Sequence, residues 1–325
     1  MLTTRGRPNA RWEAHIVVTP QAAVMCDPMA ASTLSHTRSR VSAYVALTKP
    51  RIIELLLVTT LPTMVVAARG LPPVGLMVAT LLGGTLAAAG ANVVNMYVDR
   101  DIDAIMRRTR GRPLVTGELE PHQALVFAVA LEVLAFVELW LLVNPLSAVL
   151  ALSATLFYVF VYTLWLKRTS TQNIVIGGAA GAVPVLVGWA AVTGSLGLAP
   201  IVLFAVIFLW TPPHFWALAI RYREDYAAAE VPMLPAVSSL SVTARRVMAY
   251  TLALWACSLI FARVGGMGLL YLGSAIVLGA VFVFLAWRLQ RDGSVQRALR
   301  LFSYSITYVT LLFSAMALDQ LLGLR

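Results

Sequence analysis

The chain alternates long apolar runs with short polar islands. Runs approaching the ~20 residues that cross a bilayer as a helix fall near 52–69, 74–97, 123–143, 145–166, 173–192, 199–220, 247–265, 268–287 and 301–323. They predict an all-α, polytopic membrane bundle of about nine transmembrane helices. The first run is short and contains Glu54. On one side the connecting islands are minimal, as at Gly70-Leu71-Pro72-Pro73 and Asn144-Pro145. On the other side 98–122 and 221–246 are long and carry most of the polar chemistry, and long loops of defined composition are usually functional. No soluble stretch is long enough to hold a core of its own. A single membrane domain over 44–325 is therefore expected, preceded by a disordered cytoplasmic tail over 1–43 with Met29 as an alternative start. No apolar core follows the tail's arginines, which excludes a secretory signal.

With 59% of its 325 residues hydrophobic and a mean hydropathy of +0.80, most of the chain must lie in lipid. A net charge of +10 would suit a nucleic-acid partner, but its placement argues against one. Of the 25 lysines and arginines, all but Arg69, Arg263 and Arg325 lie in the segment through Arg51 or in loops after even-numbered spans. The positive-inside rule then puts the N terminus and those loops in the cytoplasm and the C terminus outside. The excess of arginine over lysine hints at a GC-rich bacterial genome. Cys26 and Cys257 are too far apart in sequence to suggest a disulfide framework or a metal motif.

The chemistry concentrates at the cytoplasmic end of the second span. Asn95, Asp99 and Asp103 fall at i, i+4 and i+8, which in a helix stacks three oxygen side chains on one face at steps of about 6 Å. Carboxylates so placed repel unless a cation sits between them, and hard oxygen ligands suit magnesium. Asp101 points roughly 200° away from Asp99 and is left out of the cluster. Arg107, Arg108, Arg110 and Arg112 follow, so anion-binding charge adjoins the expected metal, as a diphosphate site requires. Trp210 to Tyr226 is a second polar stretch. Pro212 and Pro213 are expected to break or kink the sixth span and leave His214 inside the bundle as a substrate contact. Glu224 and Asp225 come at the depth of the first acids, so two metals and a diphosphate would fit between them. Lys49 and Lys167 are either topological anchors or phosphate contacts; Arg168 is assigned to anchoring.

These residues carry a resemblance. Asn95-Met96-Tyr97-Val98-Asp99-Arg100-Asp101-Ile102-Asp103, followed by Arg108-Thr109-Arg110-Gly111-Arg112-Pro113, resembles the first aspartate motif of the UbiA-type intramembrane prenyltransferases. Trp210-Thr211-Pro212-Pro213-His214-Phe215-Trp216, Glu224-Asp225-Tyr226 and Pro232-Met233-Leu234-Pro235 are similar to the branch that farnesylates protohaem IX. The resemblance runs from about residue 44 to the last span. It implies transfer of farnesyl from farnesyl diphosphate to a vinyl group of haem b, giving haem O for terminal oxidases. It implies Mg2+ on Asn95, Asp99, Asp103 and Asp225; beside them Lys49, Arg107, Arg108, Arg112, Lys167, His214 and Arg221 are the expected substrate contacts. Haem A synthase or terminal oxidase assembly would be the downstream partner, and the bilayer the solvent. Where other branches pair two aspartates four apart, this chain has Arg221 and Asp225, so Arg221 is expected to touch phosphate directly. Glu230 stands where the branch usually shows glycine. A prenyltransferase of quinone precursors is the nearest rival. A secondary transporter is remote, because the acids cluster at one face and no repeat is visible.

Overall fold

The computed structural model describes residues 39–323. Residues 1–38 of the expected tail, Cys26 included, lie outside the described residues, as do the side chains of residues 51, 52 and 54–57, Glu54 among them. The helices run α1 (Arg40–Thr48), α2 (Pro50–Ala68), α3 (Val74–Val98), α4 (Arg100–Ile105), α5 (Pro113–Thr116), α6 (Pro121–Leu142) and α7 (Pro145–Leu156). A π-helical segment, Phe157–Leu166, links α7 to α8 (Lys167–Thr169). Then follow α9 (Asn173–Thr193), α10 (Leu198–Arg221), α11 (Arg223–Ala228), α12 (Leu234–Val237), α13 (Leu240–Val264), α14 (Leu269–Asp292) and α15 (Val295–Leu322). No strand occurs among the described residues.

Eight helical spans among the described residues are long and apolar enough to cross a membrane, and the chain is a multi-pass membrane protein. The ninth expected span coincides with α2, whose described apolar stretch is Val58–Ala68. Neighbouring spans pack in chain order, and α15 returns to α2 to close a ring. Within it α2 also packs on α9, and α10 on α15. The largest core joins α9, α10, α13, α14 and α15 around Trp216, Phe261, Phe282, Tyr308 and Phe313. The outward side is apolar as well: Val126, Val133, Leu134 and Leu141 on α6 are all more than half exposed. Apolar surface of that extent belongs against lipid.

Hydrogen bonding explains several helix ends. Ser39 caps α1 by accepting from Ser42 N at 3.2 Å, so the helix opens inside the segment expected as tail. Asn144 caps α7 through Ser147 N at 2.9 Å and donates to Ala190 O on α9 at 2.8 Å. At the start of α14 the cap comes from another helix: buried Asp319 of α15 accepts from Gly268 N at 2.6 Å and Tyr271 N at 3.1 Å. A carboxylate there meets both the unpaired N–H groups and the helix dipole. Pro212 and Pro213 do not break the sixth span; α10 runs through them unbroken.

Glu230 has a structural explanation. It follows α11 with φ 54°, while its N–H donates to Ala227 O at 3.1 Å and Val231 N–H to Tyr226 O at 3.0 Å. This is a Schellman close, whose left-handed position glycine takes without Cβ strain. A residue with a side chain pays about 1 kcal/mol there. Glu230→Gly should therefore raise thermal stability slightly, by up to about 1 kcal/mol, with no loss of activity; unfolding scans of the two proteins in one detergent check this.

Candidate functional site

The site forms where α3 gives way to α4. Asn95 and Asp99 end the first helix and Asp103 lies in the second; all three are buried, at 4%, 0% and 2% exposure. Helical hydrogen bonding carries through the junction, with Asp99 N to Asn95 O at 3.0 Å and Asp103 N to Asp99 O at 2.8 Å. The one-face stacking expected from i, i+4, i+8 therefore holds. Asn95 Nδ2 donates to Asp99 Oδ2 at 2.7 Å.

The repulsion expected between the acids is relieved by amino and guanidinium groups. Lys167 pairs with Asp99, and Arg112 folds back onto Asp103. Lys49 Nζ donates to Asn95 Oδ1 at 2.8 Å. Among the described residues no three His, Cys, Asp or Glu side chains converge as a ready-made metal cage. One atom is left over: Asp99 Oδ1 is buried with no hydrogen-bond partner, and Arg168 Nη2 stays 3.8 Å away. A buried carboxylate oxygen without a donor is expensive, and it is the atom a hard cation would take.

Each cation is delivered by a distinct device. Lys49 joins α1 to α2 with φ 53°, a left-handed residue that is not glycine, and Asn92 Nδ2 fastens this joint by donating to Thr48 O at 3.0 Å. Lys167 arrives through the π-helical segment, where Thr163 Oγ1 donates to Tyr158 O, five residues back, at 2.9 Å. Thr163 also receives Asn95 Nδ2 at 3.2 Å. Gly177 of α9 makes room for the Tyr162 ring: a Cβ there would sit 2.2 Å from it. Arg112 is positioned by a turn in which Thr109 Oγ1 donates to Asp103 O at 3.0 Å.

The second polar stretch meets the first at its edge. Arg107 Nε donates to Asp225 Oδ1 at 3.0 Å, and its Nη2 lies 3.3 Å from Glu224 Oε2. Arg108 and Arg221 lie over the Tyr222 ring at 5.3 and 5.8 Å and pair with no carboxylate among the described residues. Together with Arg107, Tyr222, Glu224 and Asp225 they line an open cavity of about 410 Å³. Asp225 is thus buried beside the arginine loop. His214 is placed elsewhere, two turns before Arg221 and packed against α15.

Several participants escaped the sequence reading. Arg168, assigned to anchoring, grips Asp101 at 2.7 and 2.8 Å and reaches Val98 O at 3.2 Å. Its hydrogen bonds hold the Asp101 carboxyl down at about 2. Asp101 stays outside the buried cluster, as its angular position predicts. Thr163 carried no signal, because nothing in the apolar pattern announces a π-helix. Asn92 did: it is polar in an apolar run, three residues before Asn95.

Burial first, then the charges of Arg112 and Lys167, push the Lys49 ammonium down to about 7. A lysine that releases its proton more easily folded than unfolded disfavours the native state wherever it must be charged. That cost is complete below pH 7 and fades as pH rises toward the ordinary 10.5. Ligand-free protein should therefore gain heat stability over that interval relative to Lys49→Met, measured by unfolding scans of both across pH.

Comparison with known proteins bears on this geometry. A sequence profile of the UbiA prenyltransferase family matches residues 56–313. A protein of Parafrankia sp. (strain EAN1pec) named protoheme IX farnesyltransferase is 54% identical over 292 residues, 89% of this chain and 93% of that one. One of the same name from Paenarthrobacter aurescens (strain TC1) is 53% identical over 286 residues, 86% and 89% of the two chains. A solved digeranylgeranylglyceryl phosphate synthase superimposes with a TM-score of 0.72 at 16% identity, over 86% of this chain and 98% of that one. A UbiA homologue from Archaeoglobus fulgidus, bound to GPP and Mg2+, does so with a TM-score of 0.60 at 17% identity, over 84% and 99%. At such identities these two likenesses speak for the fold alone. The profile spans most of the chain, and the chain belongs to the UbiA prenyltransferase family.

Proposed function

We propose that the chain transfers a farnesyl group from farnesyl diphosphate to a vinyl group of haem b, making haem O and releasing diphosphate. The observation that carries the diphosphate half is Asp99, fully buried with one oxygen unpartnered, in a cluster ringed by Lys49, Lys167 and Arg112. The haem half rests on the two relatives named protoheme IX farnesyltransferase, which this chain matches over most of its length.

The residues fit a divalent cation. Asp99 Oδ1 is free to bind it, and Asn95 Oδ1, Asp103 and Asp225 would be the further oxygen ligands once the cations paired with them turn to the diphosphate. Magnesium, carried by the related protein bound to GPP, would supply Lewis-acid stabilisation of the leaving diphosphate. The protein's own groups do the rest. Lys49, Lys167 and Arg112 stand around the acids and neutralise charge as the bond between farnesyl C1 and oxygen breaks. Arg107, Arg108 and Arg221, at the open cavity, draw the diphosphate in from water. A new carbon–carbon bond forms between C1 and the terminal vinyl carbon. The cation left beside the porphyrin ring adds water, loses a proton and keeps the hydroxyl. An apolar bundle suits both substrates, since their charged ends seek its polar end.

Residues 44–325 form the catalytic membrane domain in this reading. The basic loops support a bacterial plasma-membrane protein with its polar end facing the cytoplasm and its C terminus outside. Terminal oxidases, directly or through a haem A synthase, take the product.

Expressed in a host lacking its own haem O synthase, the chain should give haem O, identified by mass spectrometry of extracted haems. Asp99→Asn should lower turnover by roughly two to three orders of magnitude, as loss of a group stabilising a leaving anion does. Chelation of divalent cations should stop diphosphate release. Only haem b from folded membrane protein would overturn the haem assignment and direct attention to quinone precursors.

A further inference from the structure

His214 lies on α10, 7% exposed, at a point the diphosphate chemistry does not use. Its ring is held on both faces, by Trp210 at 4.2 Å between centroids and 22° between planes, and by Phe302 at 4.7 Å and 32°. Phe215 closes one edge at 5.2 Å. Nδ1 is 2.7 Å from Ser305 Oγ on α15. That hydroxyl in turn lies 2.6 Å from Phe302 O. A carbonyl can only accept, so the single hydroxyl proton goes to Phe302, and the bond to histidine must be carried by Nδ1–H. Nε2 is thereby fixed as the nitrogen with the lone pair. The ring's only hydrogen bond among the described residues is the one through Nδ1, so that lone pair is left unused. A further strut, Trp210 Nε1 donating to Ser305 O at 2.7 Å, locks the same two helices around the ring.

An imidazole whose N–H is tied to an oxygen and whose other nitrogen is bare is the arrangement of a metal ligand. Yet no cluster of three His, Cys, Asp or Glu residues stands ready to complete a protein-built metal site among the described residues. A metal served here by one histidine must bring its other ligands with it. A porphyrin iron does: four nitrogens fill its plane and leave the axial positions open, and the aromatic walls of Trp210, Phe215 and Phe302 suit the flat apolar ring.

We propose that His214 Nε2 is an axial ligand to the iron of the haem substrate, an inference that rests on the haem reading above. Ligation fixes the porphyrin plane across the iron–nitrogen bond, so α10 and α15 together set where the vinyl groups point. Ser305 is the positioning residue, acting through Nδ1.

The test uses the full chain in detergent with ferrous haem b as the probe, read by resonance Raman spectroscopy. Wild type should show an iron–histidine stretching band. His214→Ala should lose it, regain it when imidazole is added, and still bind farnesyl diphosphate. Ser305→Ala should keep the band but shift it to lower frequency, with haem affinity reduced about tenfold, as outer-sphere changes do. Should His214→Ala fail to fold, the Ser305→Ala shift decides by itself. A band that persists in folded His214→Ala, a Ser305→Ala band at the wild-type frequency, or wild-type haem binding without such a band would overturn the ligation and leave the haem reading standing. Wild type that binds farnesyl diphosphate but no haem would overturn both.

Discussion

Carboxylates inside a lipid-facing bundle must be met by opposite charge or by donors, and the polar end of this protein is organised by that requirement. Asp99 is wholly buried, and the groups that answer it or its neighbours come from α1–α2, the end of the fourth span and the loop after α4. Segments far apart in the chain are thus tied at one level. Removing one partner from a buried ion pair costs about 3–5 kcal/mol, so this end is well defended. The other end obeys the same rule with different means. There Asp319 is answered by two backbone N–H groups, which costs no second side-chain charge.

The same pairing shapes the chemistry. The cations that satisfy the acids in the protein alone are those an arriving diphosphate would want, so substrate and carboxylates compete for them. In the proposed reading a divalent ion would resolve the competition by taking the acids and freeing the cations for phosphate. The pairs made by the exposed Arg107 and the partly exposed Arg168 play a smaller part, because solvent screens the arginine side of each. They fasten loops: Arg107 ties the segment after α4 to α11, and Arg168 ties α8 to Asp101.

The sequence made the membrane class, the approximate number of spans and the principal acids legible, because lipid leaves little freedom. A polar residue within a membrane-length apolar run is conspicuous, and Asn95, Asp99 and Asp103 repeat at helical spacing. Lys49 and Lys167 could be seen but not assigned, since a lysine at a span end is equally an anchor. What stayed hidden depends on contacts distant in the chain or on backbone conformation. Ser305 lies 91 residues from His214 and looks like any small hydroxyl in an apolar helix. Glu230 was visibly unusual, but its meaning needed the left-handed φ at the end of α11. The first four residues of helix α1 fell in the expected tail because nine residues are too few to register as a span.

The π-helical segment has a consequence for the geometry of the whole fourth span. A π-helix turns through fewer degrees per residue than an α-helix, so ten residues of it lag by roughly half a turn. A helical wheel drawn from Pro145 would therefore assign the last residues of this span to the wrong side. The lag lets Lys167 face Asp99 while Phe160 and Trp165 remain more than half exposed on the outer side. The angular phase of the backbone, as much as the identity of the side chain, is what aims this cation inward. Shortening the stretch by a single residue would rotate both the aromatic surface and the lysine out of place, although the composition of the span would hardly change.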